Sequence, residues 1–562
     1  MTDISPLQKA RLQFQPLLPL VLRSLRSLTP EDFSPKQELS KELEALFPYT
    51  GSQAKLVFSE GAETSFSAMR VGVVLSGGQA AGGHNVIAGL YDALKALHPE
   101  SKLFGFLKGP SGIVDHDVLE ITEDYLAAYR NQGGFDIIGS GRTKIESEEQ
   151  FQKSLNTVKS LDLNGLLVIG GDDSNTNAAL LGEYFQAHGA KTVVVGAPKT
   201  IDGDLRNEDI EMSFGCDTAC KVYSEMISNI ARDALSAKKY YYFLKLMGRS
   251  ASHIALECAL QTHANLTFIG EEVAAQKRSL RDICGEICDM VLRRSEEGKH
   301  YGVILVPEGL IEFIPECRKL IDELNDLLAP SHSHQAHMES IHSKEEKIDY
   351  VVKFLSNESA DCFSTLPTDI QFQLLLDRDP HGNVQVSNIE TERLLMQMAS
   401  IELEKRKKAG NYKGKFSAQP NFFGYEGRSG MPSNFDAQYC YGLGHVAALL
   451  IAHKRNAYMA CIKNLTEKVE NWQPMGIPIC GMMHLEKRHG KVKPVIEKAL
   501  VNLEGAAFQH FASQRELWKY EDQYRHPGPI QFFGDREITD QVMLTMTLEH
   551  ENAGVSLTSA GT

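Results

Sequence analysis

The sequence lacks any apolar run long enough to cross a membrane. The Leu-rich piece near the N-terminus, residues 17–22 (LLPLVL), is interrupted by Pro19 and followed by Arg23. A membrane helix needs about 20 apolar residues, and no signal-peptide cleavage pattern is present. We therefore expect a soluble, cytoplasmic protein that does not bind membranes.

The sequence also lacks an excess of positive charge and closely paired cysteines. Lys and Arg number 58 against 73 Asp and Glu, a formal net charge of −15. This argues against nonspecific binding to nucleic acid, although a local basic pocket stays possible. The ten cysteines include no CxxC pair. Cys216/Cys220 and Cys284/Cys288 have a spacing that suits one helix face better than a four-ligand zinc site, so we predict reduced, partly buried thiols.

Short apolar runs separated by amphipathic segments dominate the chain from Arg70 onward. At 562 residues we expect two or three domains. Six of the runs predict strands: 71–78, 103–109, 166–171, 192–198, 240–248 and 301–309. Apolar runs alternating with helical patterns indicate βαβ units and a mostly parallel sheet. Ligands bind such sheets beyond the C-terminal strand ends.

Regions without this pattern flank and interrupt the predicted sheets. Residues 1–69 predict an N-terminal helical extension, and residues of about 318–410 carry amphipathic runs that predict a helical insertion. Within the insertion, residues 331–342 contain His332, His334, His337 and His342. A metal site is one interpretation, but a solvated, mobile loop is favoured because no Cys or carboxylate cluster accompanies the histidines. The polar residues after His550 predict a disordered tail.

A glycine-rich loop follows the first of these strands. Residues 76–90 (SGGQAAGGHNVIAGL) open a helix, and Gly77, Gly78, Gly82 and Gly83 would let backbone amides approach an anion. The loop matches neither a Walker motif nor the dinucleotide fingerprint. Tight-turn glycines without a ligand are the alternative. In GSGRTK (139–144), Arg142 is either a phosphate ligand or an exposed surface residue.

Two adjacent carboxylates, Asp172 and Asp173, follow the strand that contains residues 166–169. One carboxylate facing a phosphate suffices to hold Mg²⁺, which makes Asp172 a candidate metal ligand. A helix cap is the alternative, but only one of the two residues could be the cap. Asp173 would repel a phosphate unless a cation intervenes. We therefore interpret it as the residue that selects the phosphate donor.

The segment PKTIDGDL (198–205) places Lys199 beside Asp202 and Asp204. An Asp near a hydroxyl can accept its proton, and a Lys can neutralise a transferring phosphoryl group. A structural Asp-Gly-Asp turn is the alternative. The functional interpretation is favoured because the cation, the base and the metal carboxylate follow successive strands of one predicted sheet.

Three later segments present residues suited to a sugar phosphate. They contribute Lys239 and residues 247–249 around one strand, Glu308 after the next, and Tyr425 with Arg428 in an aromatic loop. The alternatives are a solvated loop acid for Glu308 and a half-buried aromatic for Tyr425.

Taken together, these motifs resemble the phosphofructokinase family, in its long pyrophosphate-dependent form, over roughly residues 70–520. The strings that carry the resemblance are GGQAAGGHNVI, GGDDSNTNAA, PKTIDGDL, SFGCDTA, KKYYYFLKLMGR, VPEG, HGNVQVS and YEGR…PSNFDAQYCY. The resemblance implies phosphoryl transfer from pyrophosphate to the 1-hydroxyl of fructose 6-phosphate, with Asp202 as the proton acceptor and Asp172 as the Mg²⁺ ligand. It also implies that Arg142 and the loop around Gly77 contact the diphosphate.

Further site residues follow from the same resemblance. It implies that the fructose 6-phosphate site is lined by Thr200, Ile201, Asp202, Met247, Gly248, Arg249, Glu308, Tyr425, Glu426, Gly427 and Arg428. Lys239 and Tyr240 would reach the neighbouring subunit's site, which implies a homodimer.

The resemblance also bears on the phosphate donor. ATP-using relatives typically have glycine where this chain has Asp173, so bulk and like charge should exclude ATP; Lys199 is typical of the pyrophosphate-dependent class. The chain departs from the family at Ala81, normally proline, and at Cys216, usually aromatic, and the first departure brings pyrophosphate affinity into question. An ATP-dependent enzyme and a non-catalytic regulatory subunit are the alternatives.

The expected architecture is an α/β fold with two Rossmann-like lobes and mostly parallel sheets, facing a cleft. Residues 70–215 and about 432–510 would bind pyrophosphate and Mg²⁺. Residues 216–431, containing the helical insertion, would bind fructose 6-phosphate, and residues 511–562 would form a C-terminal segment.

Overall fold

The computed structural model of the chain divides into two compact units. It describes residues 4, 6–329, 333–376, 378, 384–488, 491–530 and 542–557. Unit 1 consists of Met1–Ala219, Tyr425–Ala499 and Ile530–His550, and unit 2 of Cys220–Gly424, Leu500–Pro529 and Glu551–Thr562.

The strands, in chain order, are β1 (Leu28–Asp32), β2 (Leu56–Glu60), β3 (Arg70–Leu75), β4 (Lys102–Phe106), β5 (Val118–Ile121), β6 (Gly165–Gly170), β7 (Val193–Pro198), β8 (Tyr240–Leu246), β9 (Leu266–Thr267), β10 (Tyr301–Pro307), β11 (Ala418–Phe423), β12 (Tyr458–Lys463), β13 (Gln473–Pro478), β14 (Met483–Arg488) and β15 (Lys491–Ile496).

The α-helices are α1 (Pro6–Gln13), α2 (Lys41–Leu46), α3 (Gly83–Leu97), α4 (Ser111–Asp115), α5 (Glu123–Leu126), α6 (Glu148–Ser160), α7 (Asp172–Ala187), α8 (Cys216–Ala237), α9 (His253–Thr262), α10 (Gly270–Ala275), α11 (Leu280–Glu296), α12 (Leu310–Phe313), α13 (Pro315–Leu327), α14 (Ser333–Ser340), α15 (Lys344–Val352), α16 (Asn357–Thr365), α17 (Thr368–Leu376), α18 (Thr391–Lys408), α19 (Tyr425–Ser429), α20 (Asn434–Ala452), α21 (Ala506–Tyr520) and α22 (Leu544–Leu557). The 3-10 helices are Leu20–Ser27, Val386–Asn388, Val469–Asn471 and Ile479–Met482.

Unit 1 is built on a nine-stranded sheet in the order β1-β2-β13-β12-β7-β6-β3-β4-β5. The central strands β12, β7, β6, β3 and β4 are parallel, and the outer strands are antiparallel. The chain leaves β3 toward β4 on one side and later returns to place β6 on the other. This reversal of strand order is a topological switch point, where open α/β sheets bind ligands beyond the carboxyl ends of their strands.

The predicted helical extension over residues 1–69 needs correction. The helices α1 and α2 and a 3-10 helix are present, but β1 and β2 extend the sheet of unit 1. In β2 the buried side chains of Leu56 and Phe58 alternate with more exposed ones. Burial that alternates from residue to residue is typical of a strand with one buried face. The sequence analysis did not detect this strand because the alternating stretch is short and lies between helical segments.

Helices α3 and α20 of unit 1 pack closely through glycines. A Cβ atom added to Gly89 would overlap the carbonyl oxygen of Tyr441, and one added to Gly444 would overlap that of Val86. The absence of side chains at these positions lets the two backbones approach each other. Because α3 follows the glycine-rich loop directly, this packing fixes the loop's position in unit 1.

We expect Gly89→Ala to lower the unfolding free energy of unit 1 by about 2 kcal/mol or more, because the added methyl group must displace the backbone of α20. Unit 1 contains Trp472 and unit 2 contains Trp518. Urea unfolding followed by fluorescence in a Trp518→Phe background would therefore report on unit 1.

The matched control is Gly285→Ala, inside helix α11 of unit 2, where no described atom lies within 4 Å of an added Cβ. We expect that change to raise stability by about 0.5–1 kcal/mol, read through Trp518 in a Trp472→Phe background. Equal effects of the two substitutions would contradict the packing explanation.

Unit 2 is built on a four-stranded sheet in the order β11-β8-β10-β9, in which every pairing is parallel. Tyr240 is paired with Tyr301 and Leu246 with Pro307, so β8 and β10 end at the same edge. The six strands predicted from apolar runs are confirmed as β3, β4, β6, β7, β8 and β10. The α/β fold with two lobes and mostly parallel sheets is likewise confirmed.

The helical insertion is present in unit 2. The described residues between 318 and 410 lie in helices α13 to α18 and their connections and contain no strand, as the amphipathic runs of this region predict. Part of the HGNVQVS motif, residues 381–383, lies outside the described residues.

Two predictions of irregular structure are corrected. In the histidine-rich segment, His332 lies outside the described residues, but α14 includes His334, whose Nδ1 lies 2.8 Å from the hydroxyl oxygen of Tyr350. The tail after His550 continues α22 to Leu557. Buried Met543 and Met546 anchor the region where this helix begins, upstream of the small and polar residues that suggested disorder.

The cysteines agree with the expectation of reduced, buried thiols. All ten cysteines lie in the described ranges, and each is buried and not disulfide-bonded. Within the described ranges, no helix combines the length and apolar character required to span a bilayer.

Candidate active site

The loop after β3 lies against two cations of unit 1. Gly77 has a φ of +88°, in the left-handed region that favours glycine. The Nζ of Lys199 donates a hydrogen bond of 2.8 Å to the carbonyl oxygen of Gly78. A Cβ on Gly77 would lie 3.1 Å from this Nζ, and one on Gly78 would lie 3.1 Å from the guanidinium of Arg428. These two glycines therefore leave room for cationic side chains beside the loop.

Close packing requires glycine at positions 82 and 83. A Cβ on Gly82 would overlap the Sγ of Cys440, and one on Gly83 would overlap the ring of Phe135. Their proposed contact with pyrophosphate stays a prediction. Ala81 and Cys216, at which the resemblance implies departures from the family pattern, are both fully buried.

Asp172 and Asp173 occupy the first turn of α7, directly after β6. The N-cap of this helix is Gly171, so Asp172 is not the capping residue that the alternative required. The Oδ2 of Asp173 lies 3.0 Å from the Nζ of Lys144, and both side chains are about half exposed. Lys144 is thus a cation next to the proposed donor-selecting carboxylate.

The loop after β7 contains Lys199, Asp202 and Asp204. The backbone N–H of Asp202 donates to the Thr200 hydroxyl at 3.1 Å, and Gly203 has a φ of +72°. Burial raises the pKa of Asp204 to about 6, with the charges of Asp202 and Asp172 adding to the effect and that of Lys498 opposing it. These carboxylates are therefore close enough to repel one another.

Lys199 is almost fully buried, at 6% exposure. Burial lowers its pKa to about 8; Asp202 and Asp172 act in the opposite direction, and the guanidinium groups of Arg428 and Arg142 lower it further. Arg142 is brought into the site because Gly141 pairs with Ser76, at the end of β3. Residues from the ends of β3, β6 and β7 thus form one cluster of charges at the switch point of the sheet.

The predicted sugar-phosphate residues of unit 2 follow β8 and β10. The backbone N–H of Gly248, between Met247 and Arg249, donates to Glu308 Oε2 at 2.9 Å. Glu308 is only 2% exposed, so it is not the solvated loop acid of the alternative interpretation. A Cβ on Gly309 would overlap the carbonyl oxygen of Arg249. The two loops therefore fix each other's backbone.

The short helix α19 carries Tyr425, Glu426, Gly427 and Arg428. Tyr425 is 67% exposed. This excludes the alternative interpretation, in which Tyr425 is a half-buried aromatic side chain. The guanidinium of Arg428 lies 5.1 Å from the Tyr425 ring centroid and donates to Gln79 Oε1 at 2.6 Å. The structure thus places Arg428 beside the glycine-rich loop, whereas the sequence suggested only a sugar-phosphate role.

Lys239 and Tyr240 lie at the opposite end of β8 from Met247. A strand of this length spans roughly 20 Å, so they cannot line one pocket with residues 247–249 of the same chain. Tyr240 has a φ of +70°, uncommon for an aromatic residue, and the Nζ of Lys239 lies 5.0 Å from its ring centroid.

Lys498, Lys144 and Gln79 were missed by the sequence analysis. Gln79 lies in the glycine-rich loop and Lys144 in GSGRTK, and in both motifs the signal comes from other residues. Lys498 follows the hairpin β14–β15, and nothing in its local sequence distinguishes it from other surface lysines. The described residues contain no cluster of three or more His, Cys, Asp or Glu side chains arranged to hold a metal ion.

The fold and this cluster define a class of protein: an α/β protein with a cluster of charged side chains at the switch point of a mostly parallel sheet. The family model described as Phosphofructokinase matches residues 70–371. The chain belongs to the phosphofructokinase family, which confirms the resemblance that the motifs indicated.

Several similar proteins cover nearly the whole chain. A protein of Porphyromonas gingivalis named pyrophosphate--fructose 6-phosphate 1-phosphotransferase is 48% identical over 97% of this chain and 99% of its own length. A protein of the same name from Treponema pallidum is 53% identical over 86% of this chain and 83% of its own length. The protein named subunit beta 1 of this enzyme in Arabidopsis thaliana is 50% identical over 97% of this chain and 94% of its own length.

Proposed function

We propose that this chain catalyses the reversible transfer of a phosphoryl group from pyrophosphate to the 1-hydroxyl of fructose 6-phosphate. The products are fructose 1,6-bisphosphate and phosphate, a step of glycolysis or gluconeogenesis. The observation that supports this most is the charge cluster at the switch point of unit 1, in a chain whose relatives over nearly full length are named for this reaction.

The proposed chemistry uses the loop after β7. Asp202 accepts the proton of the 1-hydroxyl as that oxygen bonds to phosphorus and the bond to the leaving phosphate breaks. Lys199 and Arg142 neutralise the charge on the transferring group, and Gly77 and Gly78 allow its close approach to the backbone. Asp204 keeps negative charge beside the base.

A divalent metal is typical of the family, and we propose Mg²⁺ held by Asp172. The residues fit such an ion, because Asp172, Asp202 and Asp204 crowd negative charge that a divalent cation would relieve. Mg²⁺ commonly takes one or two protein carboxylates and completes its shell with phosphate oxygens and water. When bound, it would neutralise charge on the pyrophosphate.

We propose that unit 2 supplies much of the fructose 6-phosphate site. The proposed ligands of fructose 6-phosphate are Met247, Gly248, Arg249 and Glu308 in unit 2, and Thr200, Ile201, Tyr425, Glu426, Gly427 and Arg428 in unit 1. The separation of Lys239 and Tyr240 from residues 247–249 supports their assignment to the site of a second copy, and hence a homodimer. The proposed location is the cytoplasm, where unbonded cysteines persist.

The proposed donor is pyrophosphate, because the Asp173 carboxylate would exclude ATP from the proposed phosphate-donor site by its bulk and its negative charge. Its partner Lys144 holds the carboxylate in place at 3.0 Å. An ATP-dependent reaction is disfavoured by Asp173 and Lys199. A non-catalytic regulatory subunit is disfavoured because Asp172, Asp202 and Arg249 are all retained.

The test of the function is phosphorus NMR on the purified chain with pyrophosphate, fructose 6-phosphate and Mg²⁺. We expect equal amounts of fructose 1,6-bisphosphate and phosphate, and formation of pyrophosphate when the products are supplied instead. Consumption of pyrophosphate without phosphorylation of the sugar would contradict the proposal, as would inactivity of the isolated chain.

The rate should depend on the protonation of Lys199. Because burial lowers its pKa to about 8, the free enzyme loses this cation as the pH rises through that value. We therefore expect kcat/KM for pyrophosphate to fall above a pH of about 8. In Lys199→Arg, whose guanidinium stays charged, this alkaline fall should disappear. A fall that persists unchanged in the arginine variant would exclude Lys199 as its source.

A further inference from the structure

Lys498 is brought to the carboxylate cluster by the segment that follows β15. Its Nζ lies 3.6 Å from Asp204 Oδ2 and 3.8 Å from Asp172 Oδ2. The backbone N–H of Ala499 donates to the carbonyl oxygen of Asp204 at 2.8 Å. The position of Lys498 is thus fixed by main-chain pairing with the loop that carries the proposed base, in addition to the ion pairs.

The surroundings of Lys498 are dominated by negative charge. Asp204 is 5% exposed, and the Asp172 side chain is 25% exposed. Asp202 is close enough to add its charge to theirs. Carboxylates this close repel one another strongly when partly buried. One ammonium group placed between two of them offsets that repulsion.

We propose that Lys498 is a positioning residue that holds Asp172 and Asp204 in place before a divalent cation arrives and competes with that cation for Asp172. The inference rests on the proposed function, since it assigns the metal to Asp172. With a cation and pyrophosphate bound, Asp172 would hold the cation instead of the ammonium group of Lys498, while the backbone pairing at Ala499 keeps Lys498 beside Asp204.

The chain offers a matched comparison in the hairpin β14–β15, which Lys498 follows. Lys493, in β15, pairs with Glu146 at 2.9 Å, and both side chains are about half exposed. Both lysines pair with carboxylates of unit 1, but only Lys498 touches the cluster at the switch point.

The first test is binding of Mn²⁺ to the full chain without substrates, measured from the electron paramagnetic resonance signal of the free ion. Removing a positive charge beside Asp172 should strengthen binding. We expect Lys498→Met to bind Mn²⁺ at least about 5-fold more tightly than the wild type. Lys498→Arg and the control Lys493→Met should stay within about 2-fold of it.

The second test is turnover at saturating Mg²⁺ and pyrophosphate. We expect Lys498→Met to lose about 10-fold in kcat, because Asp172 and Asp204 are no longer held in place, with KM for fructose 6-phosphate unchanged. Lys498→Arg should recover most of the rate because it restores the charge. Thermal melting shows whether Lys498→Met is folded. If it is not, Lys498→Gln replaces it in both tests.

Two results would overturn the inference. One is that Lys498→Met binds Mn²⁺ no more tightly than the wild type. The other is that Lys493→Met strengthens Mn²⁺ binding as much as Lys498→Met does. In that case the change in net charge alone would explain the tighter binding. The Mn²⁺ measurement requires no turnover. Inactivity of the wild-type chain would therefore refute the proposed function separately, while unchanged Mn²⁺ binding in an active chain would refute only the role of Lys498.

Discussion

Replacing Asp202 by asparagine is expected to abolish turnover while leaving substrate binding largely intact. Asparagine has nearly the same shape but cannot accept the proton of the sugar hydroxyl. General-base catalysis contributes about 10²- to 10⁴-fold to the rate. Because the substitution also removes a negative charge from the site, kcat should fall by at least about 10³-fold. Steady-state kinetics give kcat, and calorimetry with fructose 6-phosphate gives the dissociation constant.

The control for this change is Asp204→Asn, on the same loop. Asp204 is buried and held by Lys498 and the backbone of Ala499, so we assign it a supporting charge and not proton transfer. Its loss should cost about 10-fold in kcat. Normal turnover in Asp202→Asn, or a larger loss in Asp204→Asn than in Asp202→Asn, would refute the assignment of the base.

The second large effect is expected from Asp173→Gly. This change removes a carboxylate from the first turn of α7 and releases Lys144 from its 3.0 Å ion pair. The freed space and the freed cation both favour a longer polyphosphate. We expect kcat/KM for ATP to rise by at least about 10-fold, since a like-charge contact costs several kcal/mol, and the preference for pyrophosphate over ATP to fall accordingly.

Asp173→Asn separates the two causes in this prediction. It keeps the volume of the side chain and removes its charge. If charge dominates the exclusion of ATP, asparagine should behave like glycine; if bulk dominates, it should behave like the wild type. If both variants keep the donor preference of the wild type, Asp173 does not select the phosphate donor.

Much of the site could be predicted because its residues lie within a few positions of strand ends. Asp172 and Lys199 each follow a run of apolar residues, and parallel strands bring such positions to one edge. The same logic places Glu308 after β10. Its 2% exposure and its bond to the Gly248 N–H could not be predicted, because they depend on how two loops pack.

Long-range contacts explain what the sequence did not reveal. Lys498 and Asp172 are separated by 325 residues and meet only because the hairpin β14–β15 returns the chain to the sheet. Arg428 likewise meets Gln79 across a long separation in sequence. In the fold, β1 and β2 could not be predicted because two short strands between helices give a weak periodic signal. They are defined by the pairing of β2 with β13 and of β1 with β2.

The most direct measurement is a comparison of kcat/KM for pyrophosphate and for ATP on the purified wild-type chain, with fructose 6-phosphate and Mg²⁺ saturating. Because the Asp173 carboxylate adds bulk and like charge where a nucleotide would extend, we expect pyrophosphate to be preferred by at least about 10³-fold, equivalent to about 4 kcal/mol. Turnover with ATP at a rate comparable to that with pyrophosphate would contradict the account.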